Sequence, residues 1–170
     1  LLIYVGQTRF FQQIFRAGTP KTITSIVEAT TQLKEKGWGA LIVIQRETGL
    51  RSYKDQGMQI RGEVTPSLLL SIFSPSSPLH DGVVIIQNDL IDCAACILPL
   101  TESKMIDSEM GTRHRAAIGI SEETDAIVII VSEEKSKVSI AEYGKFVKRN
   151  LRESTLEKYL NDKMFISTED

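Results

Sequence analysis

The chain has 170 residues, 42% of them hydrophobic and 25% charged, with a formal net charge of −2. That length suits one globular domain able to bury a core without disulfide or metal staples. The charge excludes a general basic surface for nucleic acid, so any polyanion bound here must be met by a local cluster of cations.

From the start, Leu1–Val5 is an apolar stub, and Phe10, Phe11, Ile14 and Phe15 recur at helical spacing, predicting a short amphipathic helix closed by Gly18. Lys21–Lys36 sets Ile23, Ile26, Val27, Thr30 and Leu33 on one face of a second helix. Ser25-x-x-Glu28 or Thr22 would cap it, and Gly37 and Gly39 end it. The apolar run Ala40–Gln45 predicts a strand covered on both faces. Thr48-Gly49 marks a turn, and Arg51–Glu63 has the pattern of a loop or irregular strand. Pro66 opens a short helix through Phe73, followed by a loop to Pro78. Val83–Gln87 and Leu90–Leu98 flank Asn88-Asp89, a pair able to take positive φ, and predict a hairpin. A polar connection, Pro99–Met110, leads to a helix opening near Gly111. Strands over Ala126–Ser132 and Val138–Ala141 follow, then a surface helix over Ser154–Leu160 with Leu156 and Leu160 on one side. No repeat or composition break divides the chain. The expected fold is α/β, a single domain with a central twisted mixed β-sheet flanked by helices.

No apolar run approaches the ~20 residues that a membrane span requires. Cys93 and Cys96 form a C-x-x-C, but on a strand positions i and i+3 point to opposite faces. The pair therefore predicts two small buried hydrophobes of a reducing compartment, not a zinc or redox motif.

Three polar clusters lie at the ends of apolar elements. Leu79-His80-Asp81-Gly82 precedes a strand. Asp81 there can take a proton from a hydroxyl or hold a divalent metal with His80 beside it; Asp81-Gly82 equally fits a plain turn. Gly111-Thr112-Arg113-His114-Arg115 opens a helix, where free N–H groups, a hydroxyl and guanidinium groups suit phosphate; it equally fits a solvated face. Ser132-Glu133-Glu134 ends a strand, with a hydroxyl for a phosphate oxygen and two carboxylates for a metal shell, or is a polar loop between strands.

Taken in order, these clusters resemble the diadenylate cyclase (DAC) family, whose signatures Asp-Gly-Ala and Arg-His-Arg appear here as Asp81-Gly82-Val83 and Arg113-His114-Arg115. The resemblance runs from near Ile23 to about Ala141 and takes in Gly39-Ala40-Leu41-Ile42-Val43-Ile44, Leu98-Pro99-Leu100 and Val131-Ser132-Glu133-Glu134. It implies condensation of two ATP into cyclic di-AMP and two pyrophosphates by two domains packed face to face. It makes Asp81 the catalytic carboxylate, aided by a divalent metal (Mn²⁺, Mg²⁺ or Co²⁺) for which His80, Asp81 and Glu134 are candidate ligands. Nucleotide contacts fall to Gly82, Gly111, Thr112, Arg113, Ser132 and Glu133, with His114 and Arg115 in support. The backbone at Leu98 would read the adenine edge and Ile97 would flank the ring. Val83 departs from the family alanine.

The resemblance points to the membrane-anchored branch. It implies a juxtamembrane segment over 1–18, a catalytic domain over 19–160, a tail over 161–170, and an anchor outside this sequence. It also implies a place at the cytoplasmic membrane face, with a YbbR-repeat regulator and phosphoglucosamine mutase as partners. Two other readings keep the same clusters: an adenine-nucleotide sensor without catalysis, and a metal-dependent phosphohydrolase using His80 and Asp81.

Overall fold

The computed structural model describes residues 19–104, 107 and 110–164. The helix expected over 10–15, the 1–18 segment and the end of the tail lie outside them. Seven strands form one mixed sheet in the order β2-β4-β3-β1-β5-β6-β7. In chain order they are β1 (Ala40–Ile44), β2 (Met58–Glu63), β3 (Val83–Gln87), β4 (Leu90–Cys96), β5 (Ile127–Val131), β6 (Val138–Glu142) and β7 (Lys145–Lys148). Only β1 and β3 pair in parallel; the other neighbours are antiparallel. Helices α1 (Pro20–Lys36), α2 (Arg51–Lys54), α3 (Pro66–Phe73), α4 (Thr112–Glu123) and α5 (Glu153–Met164) complete the described chain.

The central strands alternate between two cores, which is why their sequences are apolar throughout. Ala40, Ile42 and Ile44 of β1 join α1, α3 and α5 on one face. Leu41 and Val43 join Ala117, Ile118 and Ile120 of α4 on the other. The fold is thus three layers, helices on both sides of the sheet.

Helix α1 is capped one turn earlier than expected. Thr19, not Thr22 or Ser25, occupies the N-cap, with Pro20 in the first turn and Gly37 left-handed at the C-cap. Thr22 lies inside the helix, where its hydroxyl donates to Asp89 Oδ1 at 2.6 Å, tying the helix start to the β3–β4 turn. That turn has φ of 48° and 65° at Asn88 and Asp89, as the hairpin required.

Residues 51–63 resolve into one helical turn and β2, an edge strand whose pairing with β4 slips between Gln59 and Gly62. The opposite edge, β7, is four residues long with exposed lysines at both ends. Helix α5 runs to Met164, past the boundary expected at 160, and buries Leu156, Leu160 and Met164. It is also held by Glu142 of β6, a buried carboxylate that accepts from Tyr159 and lies 3.8 Å from Lys163 Nζ.

Strand β4 ends at Cys96, not Leu98, and is bulged twice. Ile86 pairs with Ile91, Ile85 with Cys93, and Val83 with Cys96, so β4 spends extra residues at each step. Ala95 takes φ 54° within the second bulge. Each bulge flips the alternation of faces. Cys93 and Cys96 consequently share one face and one core cluster, contrary to the strict period of two.

Candidate active site

The α4 side of the sheet carries a cavity of about 910 Å³ into which all three polar clusters open. It lies at the start of β1 and β3, the end of β5 and the start of β6, and is closed on one side by the first turn of α4.

Asp81 is exposed on the cavity wall, immediately before β3. Gly82 fixes its place: it has φ +115°, and a Cβ there would lie 2.8 Å from the Ala95 carbonyl carbon and 2.9 Å from the Cys96 oxygen. The β4 bulge and the Asp81 turn are therefore packed backbone against backbone, an arrangement open only to glycine.

Gly111 is the N-cap of α4 and offers no side-chain hydrogen bond. The first N–H groups of this helix thus receive no bond from a side chain at the N-cap, and they lie at the positive end of its dipole. Thr112 and Arg113 stand beside them on the cavity wall. The Arg113 guanidinium donates to Glu133 Oε2 at 3.2 Å and lies against the backbone of Gly39, where a Cβ would come 2.4 Å from Nη1.

His114 meets Phe146 of β7 edge to face, with ring centres 5.8 Å apart. Burial, then the positive charges of Lys135, Arg149 and Arg113, hold its imidazole below the usual histidine range, so it is neutral at pH 7. Arg115 does not line the cavity; its carbonyl accepts from Thr101 N at 3.1 Å. With Gly119, where a Cβ would lie 2.2 Å from the Pro99 oxygen, it clamps the 99–101 segment onto α4.

Ser132, Glu133 and Glu134 line the opposite wall. The Ser132 hydroxyl accepts from Lys135 N at 3.3 Å, closing the turn between β5 and β6. Ile97 and Leu98 border the cavity next to Cys96. Leu98 is buried, whereas Ile97 is 67% and Leu100 50% exposed at the mouth.

Of the residues singled out in the sequence, Asp81, Gly82, Ile97, Leu98, Gly111, Thr112, Arg113, His114, Ser132, Glu133 and Glu134 share this cavity, and His80 and Arg115 do not line it. The His80 ring turns back, its Nδ1 2.7 Å from the Ser77 carbonyl oxygen, which makes it an anchor for the loop before Asp81. Among the described residues, no three of His, Cys, Asp and Glu converge as a ready-made metal site.

Sequence reasoning missed several cavity residues. Lys135, Lys137 and Arg149 add three cations, giving with Arg113 four positive charges against the carboxylates of Asp81, Glu133 and Glu134. In a chain of net charge −2, this is the local cationic cluster an anion needs. Phe146 lies between His114 and Arg149, whose guanidinium carbon stands 5.0 Å from the ring centre. The Lys-x-Lys after the acidic pair was a visible signal for the first two. Arg149 and Phe146 carry none, since only the β6–β7 hairpin brings them to the site.

The family model described as DisA bacterial checkpoint controller nucleotide-binding matches residues 27–146. Cyclic di-AMP synthase CdaA of Bacillus subtilis is 45% identical over 172 residues, covering 98% of this chain and 62% of that protein. A diadenylate cyclase of Listeria monocytogenes is 44% identical over 138 residues, covering 81% of this chain and 50% of that protein. The chain therefore spans between half and two thirds of the length of these relatives. A crystal structure of DacA from Staphylococcus aureus, a double mutant, superposes with a TM-score of 0.82 at 41% identity, covering 85% of this chain and 96% of that one. Matched by the family model over most of its length and by relatives of high identity, the chain belongs to the DAC family of nucleotide-binding domains.

Proposed function

We propose that the chain is a diadenylate cyclase domain, which binds one ATP in the cavity and, facing a second copy, joins two ATP into cyclic di-AMP with release of two pyrophosphates. The observation that carries this reading is that one cavity holds both Asp81 and a glycine-capped helix start bearing Arg113. A carboxylate that can take a proton thus stands across from donors that can hold a phosphate.

The α4 N–H groups, the Thr112 hydroxyl and the Arg113 guanidinium grip phosphate oxygens. The Ser132 hydroxyl reaches them from the opposite wall, and Lys135, Lys137 and Arg149 neutralise the leaving pyrophosphate. The neutral His114 packs and positions this turn without adding charge. Adenine lies along Ile97 and the Leu98 backbone, beside Gly82. Asp81 receives the proton of the 3′-hydroxyl as that oxygen attacks the α-phosphorus of the nucleotide held by the facing copy. Two such attacks close the ring. Catalysis comes from alignment and fixed charge.

One cavity of about 910 Å³ suits a single nucleotide, and its mouth is open and apolar at Ile97 and Leu100. Both features support a reaction completed by a second copy. A divalent metal fits the donor set: Asp81, with Glu134 on the same cavity, offers hard oxygens, and the nucleotide's phosphates supply the rest. Mn²⁺, Mg²⁺ and Co²⁺ all suit oxygen donors of this kind. Such an ion would lower the hydroxyl's pKa and offset phosphate charge. His80, turned toward Ser77, is not part of that set.

No helix among the described residues is long and apolar enough to cross a membrane. Use of ATP and two free cysteines support a place on the cytoplasmic side, and the family resemblance supports a membrane anchor, a YbbR-repeat regulator and phosphoglucosamine mutase as partners. The test is incubation with ATP and Mn²⁺, with products identified by mass. Cyclic di-AMP supports the reading. A linear product favours a hydrolase. ATP bound but unchanged, even by two tethered copies, favours a sensor.

A further inference from the structure

Beneath the cavity, strand register sets five residues in a row across the α4 face of the sheet. Cys96 lies beside Val83, Val83 beside Leu41, Leu41 beside Ile130, and Ile130 beside Ser139. The first four are apolar and belong to one core cluster. The fifth breaks the pattern. Ser139 lines the cavity yet is only 8% exposed, and its hydroxyl has no hydrogen-bond partner among the described residues. In so enclosed a place, a hydroxyl gains more from a ligand's oxygen than an exposed one does.

Two cations border the cavity at the same end. Lys137 precedes Ser139 by two residues, and Arg149 follows Lys148, the partner of Ile140. Neither forms an ion pair with a carboxylate among the described residues. Leu151 N donates to the Val138 oxygen at 2.9 Å, which folds the chain after β7 over the start of β6. The Phe146 ring then holds Arg149, its centre 5.0 Å from the guanidinium carbon. An unpaired hydroxyl and two unpaired cations together call for an anion.

We propose that Ser139, Lys137 and Arg149 form a subsite for a diphosphoryl group, with Phe146 as the positioning residue for Arg149, and that this subsite selects nucleoside triphosphates by the length of their phosphate chain. The selection rests on the ATP reading of the cavity; binding of a diphosphoryl group does not.

The order of strands gives the length. From Cys96 at the adenine end to Ser139 the row crosses β3, β1 and β5 before reaching β6. At ~4.8 Å between neighbouring strands, that is roughly 19 Å. The phosphate grip lies part of the way along: Arg113 rests on Gly39, just before β1, and Ser132 ends β5. A monophosphate therefore stops at the α4 start, whereas the two further phosphoryl groups of a triphosphate continue toward β6 and β7. Ser139 and Arg149 stand where that chain ends.

The test titrates the whole chain by calorimetry with 3′-deoxy-ATP, 3′-deoxy-AMP and inorganic pyrophosphate at constant Mg²⁺, beside a thermal melt. The missing 3′-hydroxyl prevents turnover. Ser139→Ala should bind the triphosphate and pyrophosphate about tenfold more weakly. Its monophosphate affinity and its melt should match the parent's, because the hydroxyl has no partner in the fold to lose. Phe146→Leu should lower the ratio of triphosphate to monophosphate affinity, and Phe146→Tyr should restore it. Equal losses for both nucleotides in Ser139→Ala, or no loss at all, overturn the subsite. A Phe146→Leu chain that keeps the parent ratio overturns the positioning role. A parent that binds neither nucleotide sinks the ATP reading, and pyrophosphate still decides: binding that Ser139→Ala weakens upholds the subsite, and any other result overturns it.

Discussion

A methyl group at Gly39 separates the job of the phosphate grip from the stability of the fold. In Gly39→Ala the new Cβ would lie 2.4 Å from Arg113 Nη1 and 2.6 Å from its guanidinium carbon. These atoms are the far end of a flexible side chain, so the arginine swings away and the backbone stays. Folding loses the exposed Arg113–Glu133 pair, worth under ~1 kcal/mol, and regains roughly 0.4–1 kcal/mol from the stiffer unfolded chain. Net stability is therefore unchanged within about 1 kcal/mol, a shift of at most ~4 °C in Tm for a domain of this size. Binding loses a charge-assisted phosphate contact of about 1.5–3 kcal/mol, which converts to roughly ten- to a hundredfold weaker ATP affinity. Calorimetric titration with ATP beside a thermal melt reads both quantities. Unchanged affinity with an unchanged melt would show that Arg113 does not grip the nucleotide from its place on Gly39. A large fall in Tm would show that the arginine is not free to yield.

Asp81→Asn should bind ATP close to the parent level and make no cyclic di-AMP; retained synthesis would remove Asp81 from the chemistry. Val83→Ala should cost about 2 kcal/mol of stability, since Val83 is buried in the core beneath the cavity. Its activity per folded chain should equal or exceed the parent's, and a lower value would show that the valine contacts the nucleotide usefully. The depressed His114 sets a pH dependence with a definite sign. The unfolded chain takes up this proton below ~6.5 while the folded one resists it, so stability is full above that value and falls as pH drops toward the lower folded value. Denaturant melts between pH 7 and pH 5 should show that slope, and His114→Gln should flatten it. In Lys135→Ala, imidazole titration by NMR should move up toward the usual range.

The layered fold was legible because its central strands are apolar at every position, a pattern that only a sheet covered on both faces explains. Thr19 was missed as the α1 cap because Ser25-x-x-Glu28 and Thr22 each offered a plausible cap, and Asp89, distant in sequence, bonds both the Thr22 hydroxyl and Thr19 N. The cysteines defeated the period-two argument since a bulge has no reliable sequence mark; Ala95 gives no hint of positive φ. Within the site, Asp81-Gly82 and the Arg113 cluster could be read because turn and helix-start chemistry is local. Gly39 was taken as a helix terminator, yet its bare backbone makes room for Arg113, a relation set by tertiary packing. His80 had the chemistry of a ligand but spends its ring on a loop carbonyl.

The two edges of the sheet bear on how copies of the chain meet. At β2 the ladder slips around Arg61, whose φ is +50°, and at β7 the strand is short and ends in lysines. Neither presents the flat, uncharged row of N–H and C=O groups that another strand could extend. Sheet-to-sheet growth into filaments is thereby discouraged at both ends of the molecule. For a domain whose chemistry would need two copies in a single mutual orientation, those unreceptive flanks remove a rival mode of association and leave the cavity mouth to select the encounter.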